Sequence, residues 1–185
     1  LDRDTSGCLV LGRHRKALER LMKLFKAGAI DKTYWAVVQG GPPQDEGLID
    51  LPLGRLDSTR GWWMKHDPAG LPSQTKWRML GRGADEAGEP LAWLALEPLT
   101  GRTHQLRVHC AVSGFPILGD PIYGAGVIGG TPLHLHAREI TVPMAKNGPP
   151  TTATAPVPEH MREMLERCGW KGETPPPVSL EAGEG

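Results

Sequence analysis

The chain has 185 residues, 39% of them hydrophobic, with 21 basic and 21 acidic side chains and a formal net charge of zero. That length suits one domain with a sizeable core, and the even balance argues against a protein that grips nucleic acid through bulk charge alone. No run approaches the roughly 18 apolar residues of a bilayer span and no secretory leader is legible, so no membrane partner and a cytoplasmic location are expected.

From the start, Asp2-Arg3-Asp4-Thr5-Ser6-Gly7 is turn-forming, and Cys8-Leu9-Val10-Leu11 reads as a short buried strand. Arg13 to Phe25 carries Ala17, Leu18, Leu21, Met22 and Phe25 at helical spacing, which predicts an amphipathic helix ending near Gly28. Lys32 to Gln39 reads as a strand, stopped by Gly40-Gly41-Pro42-Pro43, and residues 48 to 76 read as strands and hairpin loops. Two further strands, Gln74 to Met79 and Leu91 to Leu96, flank a polar loop from Gly81 to Pro90. Thr103 is the expected N-cap of a short helix, His104 to Ser113, closed by Gly114 and Pro116. Leu133 to His136 and Glu139 to Val142 read as late strands, and Glu159 to Arg167 as a last helix. The composition beyond Trp170 predicts a disordered tail over 171–185, after a domain spanning 1–170.

Charge is unevenly spread. Arg13, Arg15, Lys16, Arg20, Lys23, Lys26 and Lys32 crowd the early chain, so a local basic face survives the neutral total. Cys8, Cys110 and Cys168 lack CxxC spacing and read as reduced thiols. Four histidines, His104, His109, His134 and His136, invite a metal reading. Spacing opposes it, because helix positions five apart point about 140° away from each other, leaving only His134 and His136 able to share a strand face. No metal is expected.

Taken singly, Asp2 is most simply a turn-capping residue, Tyr34 a core residue of a strand and Arg107 a solvated helix residue. Taken together, Leu1-Asp2-x-x-Thr5-Ser6-Gly7, Lys32-Thr33-Tyr34-Trp35-Ala36-Val37-Val38-Gln39-Gly40 and Gly101-Arg102-Thr103-His104-Gln105-Leu106-Arg107-Val108-His109 resemble the RluA-type pseudouridine synthase family. Gly114 to Gly124 and Leu133 to Ala137 extend the resemblance, which runs to about Met144.

The resemblance implies an α+β pseudouridine synthase fold, a mixed, mainly antiparallel sheet flanked by helices, with the N-terminal part of the domain missing. It implies isomerisation of uridine to pseudouridine in structured RNA, either 23S rRNA or tRNA, without cofactor. Asp2 falls in the slot of the family's catalytic aspartate, Arg107 in that of the arginine paired with it, and Tyr34 in that of the tyrosine against the target base. Arg102, His104, Leu106 and Val108 are the expected substrate contacts. No obligate protein partner is implied. The family's His-Arg before Leu-Asp is absent from this chain, and so is an S4 module. The competing reading is a non-catalytic RNA-binding or assembly protein of the same fold.

Overall fold

In the strand Asp31–Gln39 the apolar run is continuous rather than alternating because both of its faces are covered, and Ala36, Val37 and Val38 are all fully buried. The computed structural model describes residues 1–57, 59, 61–143 and 148–173. Its strands are β1 (Ser6–Gly7), β2 (Asp31–Gln39), β3 (Glu46–Asp50), β4 (Leu53–Arg55), β5 (Met64–His66), β6 (Gln74–Ala84), β7 (Pro90–Pro98), β8 (Leu135–Val142) and β9 (Thr151–Thr154). The helices are α1 (Arg15–Lys26), α2 (Gln105–Val112) and α3 (Glu159–Arg167).

Seven strands form one sheet in the order β1-β8-β2-β7-β6-β3, with β9 also paired to β8, while β4 and β5 make a separate hairpin. Among the described residues only the β1–β8 ladder is parallel, and the rest are antiparallel. The expected α+β architecture is therefore the observed one. On one face, Ala36, Val38, Leu94 and Leu96 meet Leu106 and Cys110 of α2 and Phe115 and Ile117 beyond it. On the other, Val37 and Leu91 meet Met161, Leu165 and Cys168 of α3 and its end. The alternation of β2 thus sends successive residues to two different cores.

Several local expectations are corrected. Cys8 to Leu11 is not a buried strand: β1 ends at Gly7, and Leu9 and Leu11 are 63% and 75% exposed. Cys8 and Val10 still pack on Ile30, Ile140 and Val142, so the segment is extended with only one face covered. In α1 the side chain of His14 caps the Ala17 amide, and Leu21 and Leu24 pack, whereas Leu18, Met22 and Phe25 remain exposed. The supposed loop at Gly81 is the far half of β6, where a β-carbon on Gly81 or Gly83 would overlap the carbonyl oxygens of Cys168 or Arg167. Those glycines mark the docking of α3's end rather than a turn. Glu139 to Val142 is not a separate strand but continues β8.

All three cysteines are free, with Cys110 and Cys168 buried. The chain stays packed past Trp170, since Glu173 pairs with Arg138 at 2.7 Å and accepts from the Val157 amide at 2.7 Å. The rest of the predicted tail, 174–185, lies outside the described residues. Among the described residues no helix is long and apolar enough to cross a membrane.

Candidate active site

Asp2 is presented by a turn in which its carbonyl accepts the Thr5 amide at 3.1 Å. The two residues that follow pin the turn to β8. The Ser6 hydroxyl meets His136 Nδ1 at 2.8 Å, and Gly7, at φ 111°, lies so close to Ala137 that a β-carbon would overlap the Ala137 carbonyl. His136 Nε2 faces the Ala155 carbonyl at 3.2 Å, so the proton belongs on Nε2 and Ser6 donates to Nδ1. The Asp-x-x-Thr-Ser-Gly segment is therefore a device for fixing one carboxylate above a sheet end.

That carboxylate lines an open recess of about 290 Å³ together with Tyr34, Arg102, His104 and Leu106. The recess runs into a second hollow of about 740 Å³, lined by Lys26, Lys32 and Arg102 among others. Its volume lies near the lower end of small-molecule sites, and the basic residues extend it toward α1. Tyr34 sits on β2 at the bulge against β8. Burial first, then the charges of Asp2 and Cys8, raise its pKa above the ordinary phenol value, so it keeps its proton at neutral pH.

The Gln105 side chain ties down the loop Thr100 to Thr103, which Thr100 and Arg102 also anchor to Gln74 and Pro72. The Gln105 Oε1 accepts from Thr100 Oγ1 at 2.7 Å and the Arg102 amide at 3.1 Å, while its Nε2 donates to the Gln74 carbonyl and Thr75 Oγ1. The expected Thr103 cap is not used. His104 occupies the N-cap position, in the left-handed region at φ 51°, with no capping bond from its side chain, and the helix starts at Gln105. A non-glycine residue there is strained, and this one is held by its ring: Nδ1 meets the Tyr123 hydroxyl at 2.7 Å. Tyr123 also accepts from the Met64 amide at 2.9 Å, which ties the β4–β5 hairpin to the site and leaves the phenol proton for His104. Burial, partly offset by Asp2, lowers the His104 pKa, in keeping with a neutral ring.

Arg107 is placed differently from the expectation. Its guanidinium is not paired with Asp2 but grips Asp120, Nε to Oδ2 and Nη2 to Oδ1, both at 2.8 Å, with the two side chains 3% and 0% exposed. It stands behind the recess wall rather than in it. Burial opposes its charge, but the bonds to Asp120, with Asp2's charge behind them, raise its pKa. Asp120 in turn is held below the usual carboxylate range: burial works against this, and Arg107 and the Ile122 and Tyr123 amides outweigh it. Val108 is buried and does not reach the recess, so of the expected substrate contacts Arg102, His104 and Leu106 line it and Val108 does not.

Asp120, Tyr123 and Gln105 escaped sequence reasoning as site residues, although all three lie inside the quoted motifs. Their signal was there: a buried-pattern helix holding Gln and Arg needs partners, and an Asp two and three residues before amides it can cap supplies one. The histidines are hydrogen-bonded individually, and among the described residues no group of three or more His, Cys, Asp or Glu could hold a metal.

The candidate site is thus a carboxylate in an open recess, with a protonated phenol beside it and the buried Arg107–Asp120 pair behind it. A family profile described as RNA pseudouridylate synthase matches residues 1–112. An uncharacterized RNA pseudouridine synthase of Zymomonas mobilis subsp. mobilis is 44% identical over 169 residues, covering 89% of this chain and 74% of that protein. The dual-specificity RNA pseudouridine synthase RluA of Vibrio parahaemolyticus is 38% identical over 143 residues, 76% of this chain and 57% of that protein. The solved structure of human RNA Pseudouridylate Synthase Domain Containing 1 superposes with a TM-score of 0.72 at 34% identity, over 85% of this chain and 67% of that one. The chain belongs to the RluA-type RNA pseudouridine synthase family. It spans about half the length of several other curated relatives that it matches.

Proposed function

We propose that this chain carries the catalytic domain of a cytoplasmic RNA pseudouridine synthase and that Asp2 is its nucleophile. The observation that carries the reading is the meeting of Asp2 and Tyr34 in one recess backed by the Arg107 cation. A carboxylate so placed faces the space a substrate ring would fill, as nucleophilic catalysis requires. The isomerisation conserves every atom. The C1′–N1 bond breaks, the base turns, C1′ bonds to C5, and the proton lost from C5 is balanced by one gained at N1, so no oxidant or energy source enters. Tyr34, keeping its proton beside the base, suits stacking and late proton transfer.

The recess is too small for a base still stacked in a duplex, so the uridine must be everted into it. Lys26, Lys32 and Arg102 along the adjoining hollow suit flanking phosphates. Exposed Trp62, under the Arg55 guanidinium at 5.6 Å, suits RNA contact from the hairpin rather than core packing. Relatives named for dual specificity and for the ribosomal large subunit favour structured RNA, 23S rRNA or tRNA, as substrate.

The test is to map pseudouridines in total RNA with and without the gene, and with Asp2→Asn restored in its place. A site lost in both strains names the substrate. Unchanged maps in rRNA and tRNA would overturn the enzyme reading in favour of a non-catalytic RNA-binding protein.

A further inference from the structure

The ring of His136 is 2% exposed and is not among the recess-lining side chains, yet both of its nitrogens are engaged. With β2 along one edge of β8, β1 and β9 share the other, β1 at His136 and Ala137 and β9 at Glu139 to Val142. Between them the Ala155 carbonyl accepts from His136 Nε2 at 3.2 Å and from Arg138 Nη1 at 2.8 Å, which fills both of its lone pairs. Arg138 is gripped in turn by Glu173 at 2.9 and 2.7 Å, and Glu173 also accepts the Val157 amide at 2.7 Å. A continuous line of bonded groups thus runs from the stretch after α3 through Arg138, Ala155 and His136 to Ser6, in the turn that carries Asp2.

Resting on the reading of Asp2 as nucleophile, we infer that His136 is a positioning residue: its Nδ1 lone pair fixes the Asp2 turn through Ser6, and Ala155 with the Arg138–Glu173 pair aims that lone pair. The turn needs such an anchor. β1 offers two ladder residues, Ser6 opposite His136 and Gly7 opposite Ala137, and Asp2 lies four positions ahead of Ser6, across a turn closed by the bond from the Thr5 amide to the Asp2 carbonyl. The Ala155 carbonyl demands a proton on Nε2, which leaves Nδ1 as the acceptor for the Ser6 hydroxyl at 2.8 Å. Burial lowers the His136 pKa, so the ring is neutral near pH 7 and the lone pair persists. Misplacing a reacting group by about 1 Å can cost about 100-fold in rate, so loosening this anchor acts on turnover more than on RNA affinity.

The experiment measures single-turnover rate and RNA affinity of the full-length protein on its mapped RNA for wild type, Ser6→Ala, His136→Asn, His136→Gln and the Ser6→Ala/His136→Gln double variant. Asparagine sets a carbonyl oxygen near the place of Nδ1 and can still accept from Ser6, whereas glutamine sets its amide near Nε2 and reaches only Ala155. Both lose the ring, so a packing role alone would slow both alike. Ser6→Ala and His136→Gln should lose at least about tenfold in rate with RNA affinity little changed, His136→Asn should keep most of the rate, and the double variant should be no slower than either single one. Equal losses in folded His136→Asn and His136→Gln, or losses that multiply in the double variant, overturn the inference. Should the His136 variants fail to fold, Ser6→Ala carries the test: a rate loss below about fivefold overturns the inference, and a larger one at unchanged RNA affinity supports it. Glu173→Gln, which weakens the grip on Arg138, should slow wild type and leave Ser6→Ala unchanged; an unaffected Glu173→Gln removes the outer pair from the anchor. Asp2→Asn, run in parallel, separates the two claims. Isomerisation surviving in Asp2→Asn sinks the nucleophile reading itself, while an inactive Asp2→Asn beside a fully active Ser6→Ala sinks only the role of His136.

Discussion

The guanidinium of Arg107 and the carboxylate of Asp120 meet through two parallel bonds of 2.8 Å, both side chains shut off from solvent. Breaking such a pair by removing one partner leaves an uncompensated buried charge, at a cost of about 3–5 kcal/mol. Because the folded-state pKa of Asp120 is lowered, its contribution is present above the unfolded value of about 3.9 and is lost as pH falls through the folded one. Urea unfolding followed from pH 5 to pH 2 should therefore show a steeper loss of stability in wild type than in Arg107→Met/Asp120→Leu, where the pair is replaced by apolar groups. Parallel slopes would mean that the pair does not set the acid response.

The buried histidines act earlier in the same titration. His109, His134 and His136 are each nearly inaccessible, and burial lowers the pKa of all three. Their depressed values mean that the unfolded chain takes up protons first, so stability falls as pH drops below about 6.5, at up to about 1.4 kcal/mol per unit for each group. The melting temperature should decline from pH 7.5 to 5.5, and His109→Gln should flatten that decline. An equally steep decline in His109→Gln would remove His109 from the account.

Gly7 combines a positive φ with a backbone contact that leaves no room for a side chain. Gly7→Ala should cost about 2–4 kcal/mol in chemical denaturation, by strain and by lifting β1 from β8. Activity should fall further than the stability loss explains, since Asp2 is aimed from the same turn. A variant with wild-type stability and turnover would show that the turn is not held there.

Tyr34→Phe keeps a ring against the base and removes the proton. Single-turnover rates should fall about 100-fold, the usual scale of a proton-transfer contribution, while RNA affinity measured by filter binding changes little. An affinity loss with an unchanged rate would assign Tyr34 to binding alone.

The elements legible in the sequence were those with one dominant period. Lys32 to Gln39 announced a strand, and Glu159 to Arg167 a helix behind Pro156 and Pro158. What misled was glycine: Gly81 and Gly83 looked like a loop, yet their missing side chains admit Cys168 and Arg167 at the end of α3, contacts 87 and 84 residues along the chain that no local window contains. β9 was invisible because Thr151–Thr154 is exposed along its whole length and shows no alternation. At the site, Asp2, Tyr34, Arg102, His104 and Leu106 were found by motif and do line one recess. Arg107 was found too, but its partner was not, because a carboxylate 13 residues downstream is chosen by the loop's path and not by any sequence period.

β1 contributes only two residues, at the margin of the sheet, yet the turn that carries Asp2, the proposed nucleophile, hangs from it. Segments of that kind open at a small fraction of the global unfolding energy. Warming the enzyme will therefore silence its chemistry while circular dichroism still reports intact helices and sheet, and cooling will restore turnover without refolding.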